Sequence, residues 1–369
     1  MALQWFFWIA VAIPLYAFAG YPLVLLGLGI TIRHKLRKAP FLPLVSLLIP
    51  AYNEERVIAR KIENSLALDY PAGWIEIVVV SDGSTDRTVE IARSAGGIRV
   101  LALARNYGKV AALNTAVPQL RGDIIVFSDA SAMLAPESVR RLVENFVDPA
   151  VGAACGHYTV VKPDEVNIGA PENIYWKYEA FIKTRESRLA STVGAHGHLH
   201  AIRKELYPFP PPETINDDYV IPLAVIARGF RAVYEPAAIV YEEAREMTGF
   251  GRRIRIMAGN LQQLRHLRRF LSPLRPLPLL FFLSHKVVRL FVPFAMVAAL
   301  AVNCLLIHSM LYRGLFDAQL LFYTLAILGI TGRLRPRALR LPFYFCMVNS
   351  AAFFGLYHAI TGRKRMAWR

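Results

Sequence analysis

Asp123-Ile-Ile-Val-Phe-Ser-Asp129-Ala-Ser131 is the stretch from which the rest of the chain can be read. Four apolar strand-forming residues, Ile124 to Phe127, run into Ser128, a carboxylate, one small residue and a hydroxyl. Such an apolar run marks any buried strand. Its tip is more specific, because ligands of open parallel sheets gather just beyond the carboxyl ends of strands. Asp129 therefore stands where a hard divalent cation would find an oxygen ligand.

Upstream, Leu44–Ile49 reads as a buried strand and Asn53–Leu68 as a helix, with Val57, Ile58, Ile62 and Leu66 at helical spacing. Ile75–Val80 is a second strand and runs into Ser81-Asp82-Gly83-Ser84-Thr85-Asp86, where Thr85 or Asp86 is placed to cap a helix over Arg87–Ala95. Ile98–Leu103 reads as a strand, Lys109–Val117 as a helix and Pro136–Phe146 as a helix. Strands alternating with helices imply an α/β region built on a mostly parallel sheet. The chain has neither a G-x-G-x-x-G turn nor a Walker lysine loop, which argues against dinucleotide-binding and P-loop architectures.

Both ends are apolar. No charged residue occurs from Met1 to Ile32, and Arg33-His-Lys-Leu-Arg-Lys38 follows. A membrane span needs about 20 apolar residues, so this is a membrane helix with its basic flank expected in the cytoplasm. Three more spans are expected near 287–309, 315–332 and 341–361. The basic loop Arg333–Arg340 fits the cytoplasm too, although simple alternation then puts Arg363-Lys-Arg365 on the far side. The expected layout is 1–40 as a membrane helix with its flank, 41–250 as a cytoplasmic domain, 251–285 as amphipathic interfacial helices and 286–369 as C-terminal membrane helices. The 369 residues carry a net charge of +16, which suits an anionic partner. Membrane lipid and nucleotide are expected rather than nucleic acid, because a nucleic-acid binder leaves the apolar ends unexplained. Cys155, Cys304 and Cys346 are too dispersed to suggest a metal or disulfide pattern.

Four motifs occur in order: Ile49-Pro50-Ala51-Tyr52-Asn53-Glu54, Val80-Ser81-Asp82-Gly83-Ser84-Thr85-Asp86-Arg87-Thr88, Arg105-Asn-Tyr-Gly-Lys-Val-Ala-Ala-Leu-Asn114 and Phe127-Ser-Asp129-Ala-Ser131. This order resembles family-two glycosyltransferases over about 44–260, in particular membrane-embedded members such as cellulose, hyaluronan and poly-N-acetylglucosamine synthases. The resemblance implies a GT-A fold, a nucleotide-sugar donor (a UDP-sugar is expected), a Mg²⁺ or Mn²⁺ ion and inverting transfer to a glycan or lipid hydroxyl. It also implies a bacterial inner-membrane location, and leaves room for a partner subunit in export.

Residue by residue, the resemblance has Asp82 accept hydrogen bonds from the donor's base or ribose, with Ala51, Tyr52, Asn53 and Glu54 lining that pocket. Lys109 is placed to meet phosphate as a point charge. Asp129 and Ser131 are the metal candidates. The family usually has a second carboxylate where Ser131 stands, and a hydroxyl is a weaker neutral ligand. Thr214-Ile-Asn216-Asp217-Asp218-Tyr219 resembles the element whose last Asp takes the acceptor proton. Asp217 and Asp218 are thus the catalytic candidates, with Asp218 in the base position. On a helix the two side chains diverge by about 100°, so one of them faces the sugar. Val193–Arg203 carries His196, His198 and His200 at alternating positions and is expected to be an acceptor loop. Its histidines read as pocket or surface groups before metal ligands. In Gly251–Arg269, Arg252 and Arg255 stand where processive relatives have Gln-x-x-Arg-Trp, with Ile256 in place of the tryptophan. A diphosphate role and a lipid-facing role for Arg255 remain equally open. A second reading of the whole chain is a catalytically weak nucleotide-sugar-binding membrane subunit of a polysaccharide export system, which the Ser131 departure motivates.

Overall fold

A computed structural model describes residues 1–32, 34–161, 170–243, 249–264, 275–330 and 337–361. Eight strands form one sheet: β1 (Val45–Ala51), β2 (Ile75–Ser81), β3 (Arg99–Ala102), β4 (Ile124–Phe127), β5 (Met133–Leu134), β6 (Val151–Val161), β7 (His200–Arg203) and β8 (Arg231–Glu243), in the order β3-β2-β1-β4-β7-β6-β8-β5. All seven residues of β1 are buried, as are all four of β4. That is why neither alternates: β4 is wholly apolar and β1 is broken only by Ser46, whose buried hydroxyl donates to Glu76 at 2.5 Å, because helices cover both faces of this part of the sheet.

Register sets the strand ends on one side of the sheet: Ala51 pairs with Ser81 at the ends of β1 and β2, and β4 ends three residues earlier, with Phe127 opposite Leu48, all in parallel. The segments after β1, β2 and β4 therefore open along one edge. The sheet then changes direction, since β7 runs antiparallel to β4 with Phe127 opposite His200. The residues entering β7 consequently lie at the edge where β4 ends, and His196–Leu199 arrive beside Ser128 and Asp129. The sheet is mixed: the parallel expectation holds for β1 to β4, and the reversal at β7 comes from the half of the domain where no strand stood out in the sequence.

The helices between these strands are α2 (Ile58–Leu66), α3 (Thr88–Ser94), α4 (Lys109–Ala116), α5 (Ser138–Val143), α6 (Ala170–Leu189) and α7 (Asp217–Ala227); α8 (Gly249–Leu264) follows β8. The helix expected from Asn53 begins only at Ile58. Asn53 adopts a left-handed φ of 54°, and its side-chain oxygen accepts the Thr85 N–H at 2.8 Å. This local bond holds Asn53 outside the helix.

The apolar helices are α1 (Ala2–Thr31), α9 (Pro276–Leu306), α10 (Met310–Ile330) and α11 (Leu341–Thr361). The first three are long and apolar enough to cross a membrane by length and composition, and Leu341–Tyr357 of α11 is a shorter apolar helix. α9 starts well before the expected 287, with Pro276 in its first turn, where a missing N–H costs nothing. It can carry charge there because the charge meets protein. His285 Nδ1 lies 2.7 Å from Glu186 Oε1 and His285 Nε2 lies 3.1 Å from Glu179 Oε2, both on α6. Arg289 bonds Glu179 as well, and Tyr21 of α1 donates to Glu186 at 2.6 Å. One face of the sheet shares its core with these helices: Leu48, Val80 and Phe127 pack in a cluster with Tyr21, Leu25, Phe281 and Phe282. Arg33, 331–336, 265–274 and Arg363-Lys-Arg365 lie outside the described residues, and with them much of the basic flanks weighed above.

Candidate active site

The site is assembled from these strand ends. Asp82 directly follows β2 and is fully buried. Its two oxygens accept the backbone N–H groups of Tyr107 and Gly108, each at 2.8 Å. Gly83 lies so close to this segment that a Cβ on it would sit 2.2 Å from the Arg105 carbonyl carbon. Asp82-Gly83 therefore fixes the Arg105–Gly108 turn. The carboxylate thus satisfies two backbone donors, a structural role beside the base or ribose contact expected of it. Asp82→Ala is expected to cost about 1–3 kcal/mol of stability by leaving those buried donors unpaired. Chemical denaturation in detergent measures this, and an unchanged midpoint would overturn it.

The turn that Asp82 fixes delivers Lys109. Its ammonium lies 2.9 Å from Asp129 Oδ1 and 3.4 Å from Asp217 Oδ2. Burial alone would lower its pKa, but Asp129 and then Asp217 raise it, so Lys109 stays charged. The first pocket segment is pinned to the second. The N–H of Asn53 donates to Ser84 Oγ at 3.1 Å, that of Glu54 to Thr88 Oγ1 at 2.8 Å and that of Glu55 to Asp86 Oδ2 at 3.1 Å. Asp86 Oδ1 also accepts the Thr88 N–H at 3.0 Å, close to the capping role read from the sequence. Ala51 is buried, and its carbonyl accepts the Asp82 N–H at 2.9 Å.

Asp217 and Asp218 open α7, where the helix N-terminus favours negative charge. Their approach is fixed by α8. The Asn216 amide donates to the Ile256 carbonyl at 3.0 Å and to Asn260 Oδ1 at 2.9 Å, and Gln262 donates to the Glu213 carbonyl at 2.9 Å. A Cβ on Gly259 would fall 2.6 Å from the Asn216 amide, so only glycine lets the helix come this near. The polar side of α8 thus grips the turn that leads into Asp217 and Asp218. Arg255 rides on this helix, and the side chain of Arg252 lies outside the described residues.

Gly197 is the meeting point. A Cβ built there would be 3.6 Å from Asp218 Oδ2 and 3.8 Å from Asp129 Oδ2. The carboxylates that follow β4 and open α7 therefore face one small space beside Gly197. Burial, and after it the neighbouring Asp217 carboxylate, push the Asp218 carboxyl above its ordinary range.

Residues 46–208 match the family model described as Glycosyl transferase family 2. The chain carries a glycosyl transferase family 2 domain. It is 38% identical to a Beta-monoglucosyldiacylglycerol synthase of Nostoc sp. over 118 residues, 30% of this chain and 25% of that protein. It is 27% identical to a Poly-beta-1,6-N-acetyl-D-glucosamine synthase of Staphylococcus aureus over 259 residues, 66% of this chain and 62% of that protein. The chain thus aligns with less than two thirds of either relative's length. In fold it is similar to a mannosyltransferase of Pyrobaculum calidifontis solved with GDP-Man and Mn²⁺: the TM-score is 0.76, at 23% identity, over 97% of this chain and 99% of that one.

Within the glycosyltransferase domain, residues that the sequence reading did not single out support the loops that carry the site. Lys61 on α2 is fully buried, and its ammonium donates to Ser128 Oγ at 2.7 Å and to the Ala132 carbonyl at 2.6 Å, spanning the turn that presents Asp129. Burial lowers its pKa to about 7. Ser128 Oγ donates to the His198 carbonyl at 3.0 Å and so ties this turn to the histidine segment. The three histidines are buried and do not share one strand face, because the chain turns at His196–Leu199 before β7 begins. His198 Nε2 lies 3.0 Å from Glu242 Oε2, His196 packs against Trp176, and His200 stacks on Phe127 at 4.7 Å. Burial keeps His196 and His200 neutral, lowering the latter to about 4. Among the described residues, no three His, Cys, Asp or Glu side chains are grouped to hold a metal ion.

A divalent cation nevertheless fits what is present. Asp129 is a hard oxygen donor at a strand tip with 27% of its side chain exposed, and one of its oxygens faces the gap at Gly197. A single carboxylate plus a hydroxyl suits a cation that completes its coordination with the phosphates of a bound nucleotide.

Proposed function

We propose that this chain is a membrane-bound inverting glycosyltransferase that moves a sugar from a nucleotide-sugar, a UDP-sugar in the reading favoured here, to a hydroxyl of a glycan or lipid. The observation that carries this is the shared space at Gly197. One carboxylate able to hold a cation and one able to take a proton open on it, and Lys109 stands between Asp129 and Asp217.

The geometry suits one sequence of events. The donor's nucleoside lies against the Ala51–Glu54 segment and its diphosphate toward Lys109 and Asp129. Asp129, with Ser131 beside it, would hold Mg²⁺ or Mn²⁺, which when bound would supply positive charge for the departing diphosphate. The acceptor hydroxyl approaches from the other side of the gap. Asp218 removes its proton as the oxygen bonds the anomeric carbon. The bond from that carbon to the diphosphate oxygen breaks, and its electron pair leaves with the nucleoside diphosphate, whose charge Lys109 meets. Attack opposite the leaving group inverts the anomeric centre. The apolar helices α1, α9 and α10 support a domain held at a bilayer, here read as the cytoplasmic face of a bacterial inner membrane, and similarity to poly-N-acetylglucosamine and glucolipid synthases supports a polysaccharide or a glycolipid as product.

Membranes holding the full chain, incubated with labelled nucleotide-sugars, should give a labelled lipid or polymer by mass spectrometry. Addition of EDTA should abolish the product, and Mg²⁺ or Mn²⁺ should restore it. Tight donor binding without transfer or hydrolysis under every condition would instead favour the nucleotide-sugar-binding subunit.

A further inference from the structure

Ser131 leaves the site one carboxylate short of the usual pattern, and the fold brings a carboxylate to it from another strand. β5 pairs antiparallel with β8, Met133 opposite Tyr241, which sets Glu242 behind the Asp129–Ser131 turn. Glu242 is only 9% exposed. Its Oε1 accepts the Ser131 hydroxyl proton at 3.1 Å. Its Oε2 accepts the Tyr158 hydroxyl at 2.6 Å and lies 3.0 Å from His198 Nε2. A buried carboxylate held by three donors has a fixed position and orientation.

We propose that Glu242 acts through Ser131: it takes the hydroxyl's hydrogen bond, turns the Ser131 lone pairs away from itself and makes that oxygen a stronger donor to the divalent cation held by Asp129. This rests on the cation role of Asp129 proposed above. A serine hydroxyl has one proton and two lone pairs. When the proton points at a carboxylate, the bond is charge-assisted and the oxygen gains electron density. Partners behind a metal ligand raise its basicity and fix its direction in the same way. The charge absent from position 131 is thus supplied one bond further out. Through His198 the same carboxylate also holds the segment carrying Gly197, so Glu242 is a positioning residue that ties the cation side of the gap to the acceptor side.

A charge exchange between the two positions separates this role from simple packing. The full chain in detergent is titrated with Mn²⁺ in the presence of UDP, and free Mn²⁺ is read by electron paramagnetic resonance. Glu242→Gln and Ser131→Ala are each expected to weaken Mn²⁺ binding about tenfold, and the double variant no further. Ser131→Asp recreates the family pattern but sets two carboxylates in contact, so in the parent background it should bind Mn²⁺ no better than the parent. Combined with Glu242→Gln it should recover most of the lost affinity. Ser131→Ala removes one oxygen from a partly exposed residue, and thermal unfolding without Mn²⁺ checks that it still folds. Unchanged binding in Ser131→Ala or Glu242→Gln, or additive losses in the double variant, would overturn the proposal. Asp129→Asn distinguishes the two levels: if it retains Mn²⁺ binding, the cation site itself is misassigned and the role of Glu242 falls with it.

Discussion

Asp218→Asn is expected to lower the transfer rate by about 10²–10⁴-fold, the usual worth of a general base, with nucleotide binding unchanged. The amide keeps the size of the side chain and its backbone bond, in which the Asp218 carbonyl accepts the Ala195 N–H at 2.8 Å. What it loses is the ability to take a proton. The donor side of the site, Asn53, Lys109 and Asp129, is held by other elements and should be undisturbed. Single-turnover transfer together with a nucleotide-binding titration separates the two quantities, and near-normal turnover would remove Asp218 from the base position. A pH signature accompanies it. Burial and Asp217 raise the Asp218 carboxyl, so the active, deprotonated form is lost as pH falls through a value above the ordinary carboxylate range. The acidic limb of the rate profile should therefore lie higher than for a solvated aspartate, and Asp218→Asn should abolish that limb in whatever activity remains.

The second large effect concerns stability at the junction of the domain with its apolar helices. His285→Leu is expected to destabilise the protein by about 3–5 kcal/mol, because removing one partner leaves buried charge uncompensated. Glu186 would keep Tyr21 and Thr192, and Glu179 would keep Arg289, but each loses its contact to His285. The pH dependence has a definite sign. Burial works to raise both carboxyls, but Arg289 and then His285 hold Glu179 well below its ordinary range, and His285 and then Tyr21 hold Glu186 below its own. A depressed carboxylate contributes stability above its unfolded pKa and loses it as pH falls through the folded value. In His285→Leu these carboxyls are less depressed, so the gap between parent and variant should be widest near neutrality and close as pH drops below about 4.3. Unfolding of both proteins in detergent across that range tests it; a pH-independent gap would attribute the loss to packing alone. Thr192 Oγ1 bonds Glu186 at 3.2 Å and Val193 and Gly194 follow it toward Gly197, so the same variant should also slow transfer.

The chain's own pattern was enough for β1 to β4, for Asp82 and Asp129 at strand tips, and for the apolar ends. These are local properties: an unbroken apolar run is a strand buried on both faces, and a Gly or Asp after it is its tip. The same local pattern marked Asp217-Asp218 as acidic residues beside the start of a helix. Tertiary structure alone decided which of these residues meet. Ser131 and Glu242 are 111 positions apart and Lys61 and Ser128 are 67 apart, and nothing in the sequence next to either member of a pair encodes its partner. The antiparallel entry of β7, which brings Gly197 between Asp129 and Asp218, depends on strand pairing across the sheet. The structural role of Asp82 depends on two backbone donors contributed by a distant loop. Residue type follows from local environment, whereas partnership is fixed by register and packing summed over the whole sheet.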